Sequence, residues 1–173
     1  MSYSGRDLLL SGLFLALALV LPILFHAVGL GSEFLPMFFP ILLAGFLLPF
    51  PMAASVGIMA PLLSALLTGM PPFFPPLAFI MMVEGAVLTA VPALLYRKIG
   101  IPLYPVLALT IVADRLVLLV VVMFTARWLD LPEGVLSLVS VIRGLPGCIL
   151  IMILIPPLVK EMRRRAAMMM IQE

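Results

Sequence analysis

Leu8-Leu9-Leu10-Ser11-Gly12-Leu13-Phe14-Leu15-Ala16-Leu17-Ala18-Leu19-Val20-Leu21-Pro22-Ile23-Leu24-Phe25-His26-Ala27-Val28 contains no Asp, Glu, Lys or Arg. A helix rises 1.5 Å per residue, so a run of about 20 apolar residues crosses the roughly 30 Å hydrocarbon core of a bilayer. This stretch is long enough to do so, and it has the composition of a segment solvated by lipid. Arg6 and Asp7 precede it, and no small-residue cleavage site follows, so it reads as a retained span rather than a cleaved signal.

The remaining sequence has the same character. Of 173 residues, 65% are hydrophobic and 10% charged, and the mean hydropathy is +1.33. Soluble domains carry about 25% charged residues, and no water-soluble fold of this size hides so much apolar surface. Five further spans are expected, giving six at about 8–28, 35–50, 52–67, 76–96, 102–128 and 135–159. The chain is therefore expected to be a single all-α integral membrane domain, with no room for a separate soluble unit. Pro49-Phe50-Pro51 is read as a tight turn between spans two and three, since proline interrupts the helical hydrogen-bond ladder. Both of those spans are short for a crossing, and neighbours are expected to bury them in part.

The charges test this count. Arg6, the Arg97-Lys98 pair and the tail Lys160-Glu161-Met162-Arg163-Arg164-Arg165 fall on one side if there are six spans. His26, Glu33, Asp130 and Glu133 fall on the other, with Arg127 as the exception. Cytoplasmic loops carry an excess of Lys and Arg, so both termini are expected in the cytosol. The net charge of +2 and pI of about 9.0 reflect this placement and do not indicate a nucleic-acid partner. Thr68-Gly69-Met70-Pro71-Pro72-Phe73-Phe74-Pro75-Pro76, with its four prolines, is expected to fold back over the outer end as a cap.

Four ionisable residues lie inside the expected spans: Glu84, Asp114, Arg115 and Arg143. Each costs about 2.5–3.5 kcal/mol at a helix centre on insertion scales, so such residues face the bundle interior and mark a ligand site or pathway. Counted along their helices, all four lie within reach of one cavity in the outer half. An arginine fork there would suit an anionic ligand group. The structural alternative is that they pair with one another, Glu84 with Arg143 or Arg115. Asp114 and Arg115 are adjacent, about 100° apart on a helix, so one of them is free to hold a neighbouring helix instead. His26, at the first outer loop, is a further candidate at the cavity mouth. On span one, Gly12 and Ala16 stand four apart, a spacing that lets two membrane helices approach closely.

Several chemistries lack their residues. There is no Gly-Lys-Ser or Gly-Lys-Thr to cradle ATP phosphates, no His-Glu-x-x-His and no nucleophile–base pair at a plausible spacing. No acidic cluster offers a divalent metal site. Cys148 is the single cysteine, so no internal disulfide forms, and its apolar surroundings mark a packing residue. The chain is expected to be neither an enzyme nor a metal protein, and to hold no cofactor. Without internal inverted repeats, a transporter of this size would need a partner that hydrolyses ATP.

Two stretches carry a family resemblance. Gly29-Leu30-Gly31, continuing through Leu35-Pro36-Met37-Phe38-Phe39-Pro40-Ile41-Leu42-Leu43-Ala44-Gly45-Phe46, resembles a loop and second helix of the S components of energy-coupling factor (ECF) vitamin transporters. One branch of that family usually reads Pro-Met-His-Ile-Pro here, and Phe38-Phe39 departs from it. Pro61-Leu62-Leu63-Ser64, followed by Leu66-Leu67-Thr68-Gly69-Met70-Pro71-Pro72, is the more specific match. Glu84, Leu94-Leu95-Tyr96-Arg97-Lys98 and Gly144-Leu145-Pro146-Gly147 complete it. The resemblance implies a six-helix bundle in the bacterial cytoplasmic membrane that binds a water-soluble vitamin or precursor from outside, under the first and third loops. Thr68 and Met70, in the third loop, join Glu84, Asp114, Arg115, Arg143 and His26 as candidate ligand contacts. It further implies assembly with a transmembrane coupling subunit and two ATPases, so that ATP is used by the partners. Gly12 and Ala16 match the family's Ala-x-x-x-Ala docking motif, and the S component topples in the membrane to release its cargo. Two arginines to receive a carboxylate favour pantothenate, with cobalamin, riboflavin or a queuosine precursor as alternatives. The competing readings are an MreD-like structural membrane scaffold and an autonomous small transporter.

Overall fold

The computed structural model describes residues 4–27, 29, 31–74, 76–128 and 144–171. Among these the chain is all-helical. In order the helices are α1 (Gly5–Ala27), a single turn α2 (Gly31–Phe34), α3 (Phe38–Leu47), α4 (Phe50–Thr68), α5 (Leu77–Pro92, widening into a π-helical end at Ala93–Ile99), α6 (Leu103–Trp128) and α7 (Leu145–Ile171). Five of them are long and apolar enough to cross a membrane: α1, α4, α5 with its extension, α6 and α7. Their outer faces carry exposed Leu8, Leu9, Leu13, Phe79, Leu116, Val120 and Ile153. That surface is stable only in an apolar solvent, as befits a multi-pass membrane protein.

Helix α3 is the exception in length. Its 10 residues rise about 15 Å, half a crossing, and every residue from Pro40 to Phe46 is buried. It is apolar on all sides because it is enclosed on all sides, with α1, α4, α5 and α7 around it. The segment expected as a short second span is thus enclosed by neighbouring helices.

The third span is longer than its expected 52–67. Phe50 and Pro51 belong to the first turn of α4, where the missing proline N–H would have had no partner. The turn consists instead of Leu48 and Pro49. Leu48, ahead of a proline, is extended at φ −97° and ψ 156°, as the proline ring requires. Pro61 is also accommodated within α4. At the far end, Gly69 takes a left-handed φ of 73°, and its N–H closes the last turn on the Ala65 carbonyl.

Close backbone approach binds α4 to α5. A Cβ on Gly57 would collide with the carbonyl of Gly85, and one on Gly85 with the carbonyl of Gly57. Gly45 of α3 meets the backbone of Leu88 and Thr89 on the same helix. Helix α5 is therefore held on two sides through glycine, a mode of association suited to lipid, where no hydrophobic force drives helices together.

Basic residues of α5 and α7 gather at one end. Arg163 of α7 lies 4.4 Å from the ring centre of Tyr96 at the end of α5, and Lys160 lies 5.0 Å from that of Tyr104 at the start of α6. Arg97 interacts through its charge with Arg163 and with Asp7 of α1. Helix α7 continues past the expected end at Val159 and carries the basic tail in its second half, where Arg165 pairs with Glu161 at 2.7 Å. Residues 135–143 of span six, together with Asp130 and Glu133, lie outside the described residues, so Arg143 does too.

Candidate functional site

The end of the bundle opposite the basic cluster holds a cavity of about 510 Å³. Pro22, Ile23 and His26 of α1 form one wall, and Gly31 with Leu35–Phe38 form the second. The third consists of Ser64, Thr68 and Met70–Pro72, closed by Leu77 and Met81 of α5. The first loop and the proline-rich third loop thus supply opposite sides. The 68–76 segment caps the cavity only with its first half. Phe74 is 72% exposed and Phe73, against Phe79, 40% exposed, so both rings point away from it.

Local chemistry shapes this wall. Ser64 Oγ donates to the Met70 carbonyl at 2.7 Å, and Thr68 Oγ1 donates to the Ser64 carbonyl at 2.8 Å. The Met70 N–H donates back to Thr68 Oγ1 at 3.2 Å. These bonds hold the turn after α4 and satisfy the carbonyls that the helix end leaves open. Both hydroxyl protons are spent within the wall, so the lining presents mostly apolar atoms. On the other side the His26 ring lies where a Gly31 side chain would stand. Leu35 has a left-handed φ of 51°, which costs a non-glycine residue about 1–2 kcal/mol. Its carbonyl accepts the Phe38 N–H at 2.9 Å and starts α3.

Of the candidate ligand contacts, His26, Thr68 and Met70 line this cavity. Glu84, Asp114 and Arg115 do not. They form a separate cluster between α5 and α6. Arg115 donates from Nη2 to Glu84 Oε1 at 3.1 Å, and from both Nε, at 2.9 Å, and Nη2 to Asp114 Oδ2. Glu84 is 4% exposed and Asp114 2%. The pairing alternative therefore describes Glu84 and Arg115. Of the adjacent pair, Arg115 is the one that holds a neighbouring helix, reaching across to Glu84 on α5 while its long guanidinium also folds back onto the Asp114 carboxylate. The expected meeting of these charges in the outer cavity is corrected, because their helices are rotated to face one another.

Leu35 connects the two sites. It lines the cavity, and one of its methyl groups lies beside Gly144, whose bare backbone also faces Arg115 Nη1. Gly12 and Ala16 are exposed on α1, and nothing stands within 4 Å of a Cβ built on Gly12. Cys148 is buried near the Arg115 cluster as a packing residue. Sequence reasoning missed Leu35, Met81 and the Gly57–Gly85 contact. The first two carried no chemical signal, and the glycines lie on different helices, so no spacing joins them. No family model, curated protein or solved structure matches this chain.

Proposed function

We propose that this chain is the substrate-binding S component of an ECF-type importer in the bacterial cytoplasmic membrane. In this reading it crosses six times, α3 being the short crossing, with both termini in the cytosol. It captures a vitamin or precursor from outside and works with a coupling subunit and two ATPases. The observation that carries the reading is the cavity between the first and third loops, at the end of the bundle remote from the basic residues. Its volume falls within the roughly 300–1,000 Å³ of small-molecule sites, and its lining is apolar with few polar groups, as such sites are. The unpartnered small-residue face at Gly12 and Ala16 is suited to close approach by a second membrane helix.

The lining changes the preferred cargo. Pantothenate was favoured by two arginines, but Arg115 is occupied by Glu84 and Asp114, and His26 is the ionisable group among the described lining residues. A vitamin with a flat or bulky apolar body, as in riboflavin, fits these walls better than a small acid. Uptake of labelled vitamins into cells carrying the chain with and without a coupling subunit and its ATPases tests the reading. Uptake should require the partners, and Gly12→Leu with Ala16→Leu should abolish it while binding to the purified subunit survives. Uptake without any ATPase partner would instead identify an autonomous transporter.

A further inference from the structure

Among the described residues, the buried cluster between α5 and α6 does not balance its charge. Glu84 and Asp114 supply two carboxylates and Arg115 one guanidinium, and both carboxylates accept from the same Nη2. Their accepting oxygens are therefore held no more than two hydrogen-bond lengths apart, within two helices long and apolar enough to cross a membrane. Asp114 Oδ1 is fully buried and has no hydrogen-bond partner among the described residues. The thiol of Cys148 on α7 is, among the described residues, the other titratable group facing the cluster. A second, uncompensated carboxylate charge in this setting carries a heavy desolvation penalty, and like charges this close do not both ionise readily.

We propose that Glu84 and Asp114 together hold a single proton, making this cluster a one-proton site at the centre of the bundle. With one carboxyl neutral, the remaining charge is matched by Arg115, and the added O–H is a donor where two carboxylates otherwise offer acceptors alone. The proton comes from water and returns to it, with no other group transferred. A proton is preferred to a metal cation because no group of three or more metal-ligating side chains occurs among the described residues. The site stands independently of what occupies the outer cavity, although Leu35 and Gly144 place the two in contact.

Infrared spectroscopy of the purified chain in lipid bilayers at neutral pH tests this. The wild type should show a protonated-carboxyl carbonyl band of one equivalent that shifts on deuteration. Glu84→Gln and Asp114→Asn should each abolish it, because either leaves one carboxylate matched to one guanidinium, and each should remain folded. Absence of the band in the wild type, or its persistence in both variants, overturns the proposal. A wild type without the band in which Arg143→Gln creates it would show that Arg143 supplies the missing positive charge, and would equally overturn it.

Discussion

Arg115 is the cation that the buried carboxylates of Glu84 and Asp114 share. Removing it alone leaves Glu84 and Asp114 buried without a cation among the described residues. Breaking a buried pair in this way costs about 3–5 kcal/mol, so Arg115→Leu should lower the thermal unfolding midpoint sharply in detergent. Adding Glu84→Gln and Asp114→Asn to the same chain should restore most of the loss, and failure of that rescue would mean that the arginine acts through packing alone. The importance of these residues was legible in the sequence, since charge inside an apolar run is an anomaly at any helix rotation. Their partners were legible only as alternatives. Whether Glu84 faces the outer cavity or α6 depends on the rotation of α5, which the Gly57 and Gly45 contacts fix from other parts of the chain.

At the scale of helices, glycine separates two kinds of surface. Gly57 and Gly85 have no space for a side chain, whereas Gly12 has open space around it. Gly57→Val and Gly85→Val should each force α4 and α5 apart, at about 1–3 kcal/mol or more for overpacking. Gly12→Val should leave stability unchanged. Thermal unfolding of the three variants side by side checks this, and equal destabilisation by Gly12→Val would place α1 against a neighbour within the bundle. Helix lengths were legible where charges and glycines bound them, as at Gly100, where φ is 87° and the chain turns from α5 toward α6. The start of α4 was not. Proline marks a helix interruption in most positions but is tolerated in the first turn, and residues 49–51 contain one proline of each kind.

At the scale of the whole molecule, the cavity and the basic cluster define two ends. In a background where Cys148 is replaced by alanine, Lys98→Cys and Arg164→Cys should react with a membrane-impermeant thiol reagent from the same side. Phe74→Cys should react from the opposite side. Labelling of positions 98 and 164 from different sides would contradict the six-crossing arrangement. The all-helical, multi-pass character followed from hydropathy, because hydropathy is summed over many residues of each helix. The apolar nature of the cavity did not, because it arises from Ser64 and Thr68 spending their hydroxyls on the turn that forms its wall.

The central claim is that this cavity holds a small molecule. The most direct measurement is mass spectrometry of what the protein releases on denaturation after mild purification, compared with a variant in which Ser64→Phe fills the cavity. The account predicts a single vitamin-like compound near one equivalent from the wild type, and none from a variant that remains folded. A wild type that releases nothing, and whose unfolding temperature is unmoved by a panel of vitamins, would contradict it.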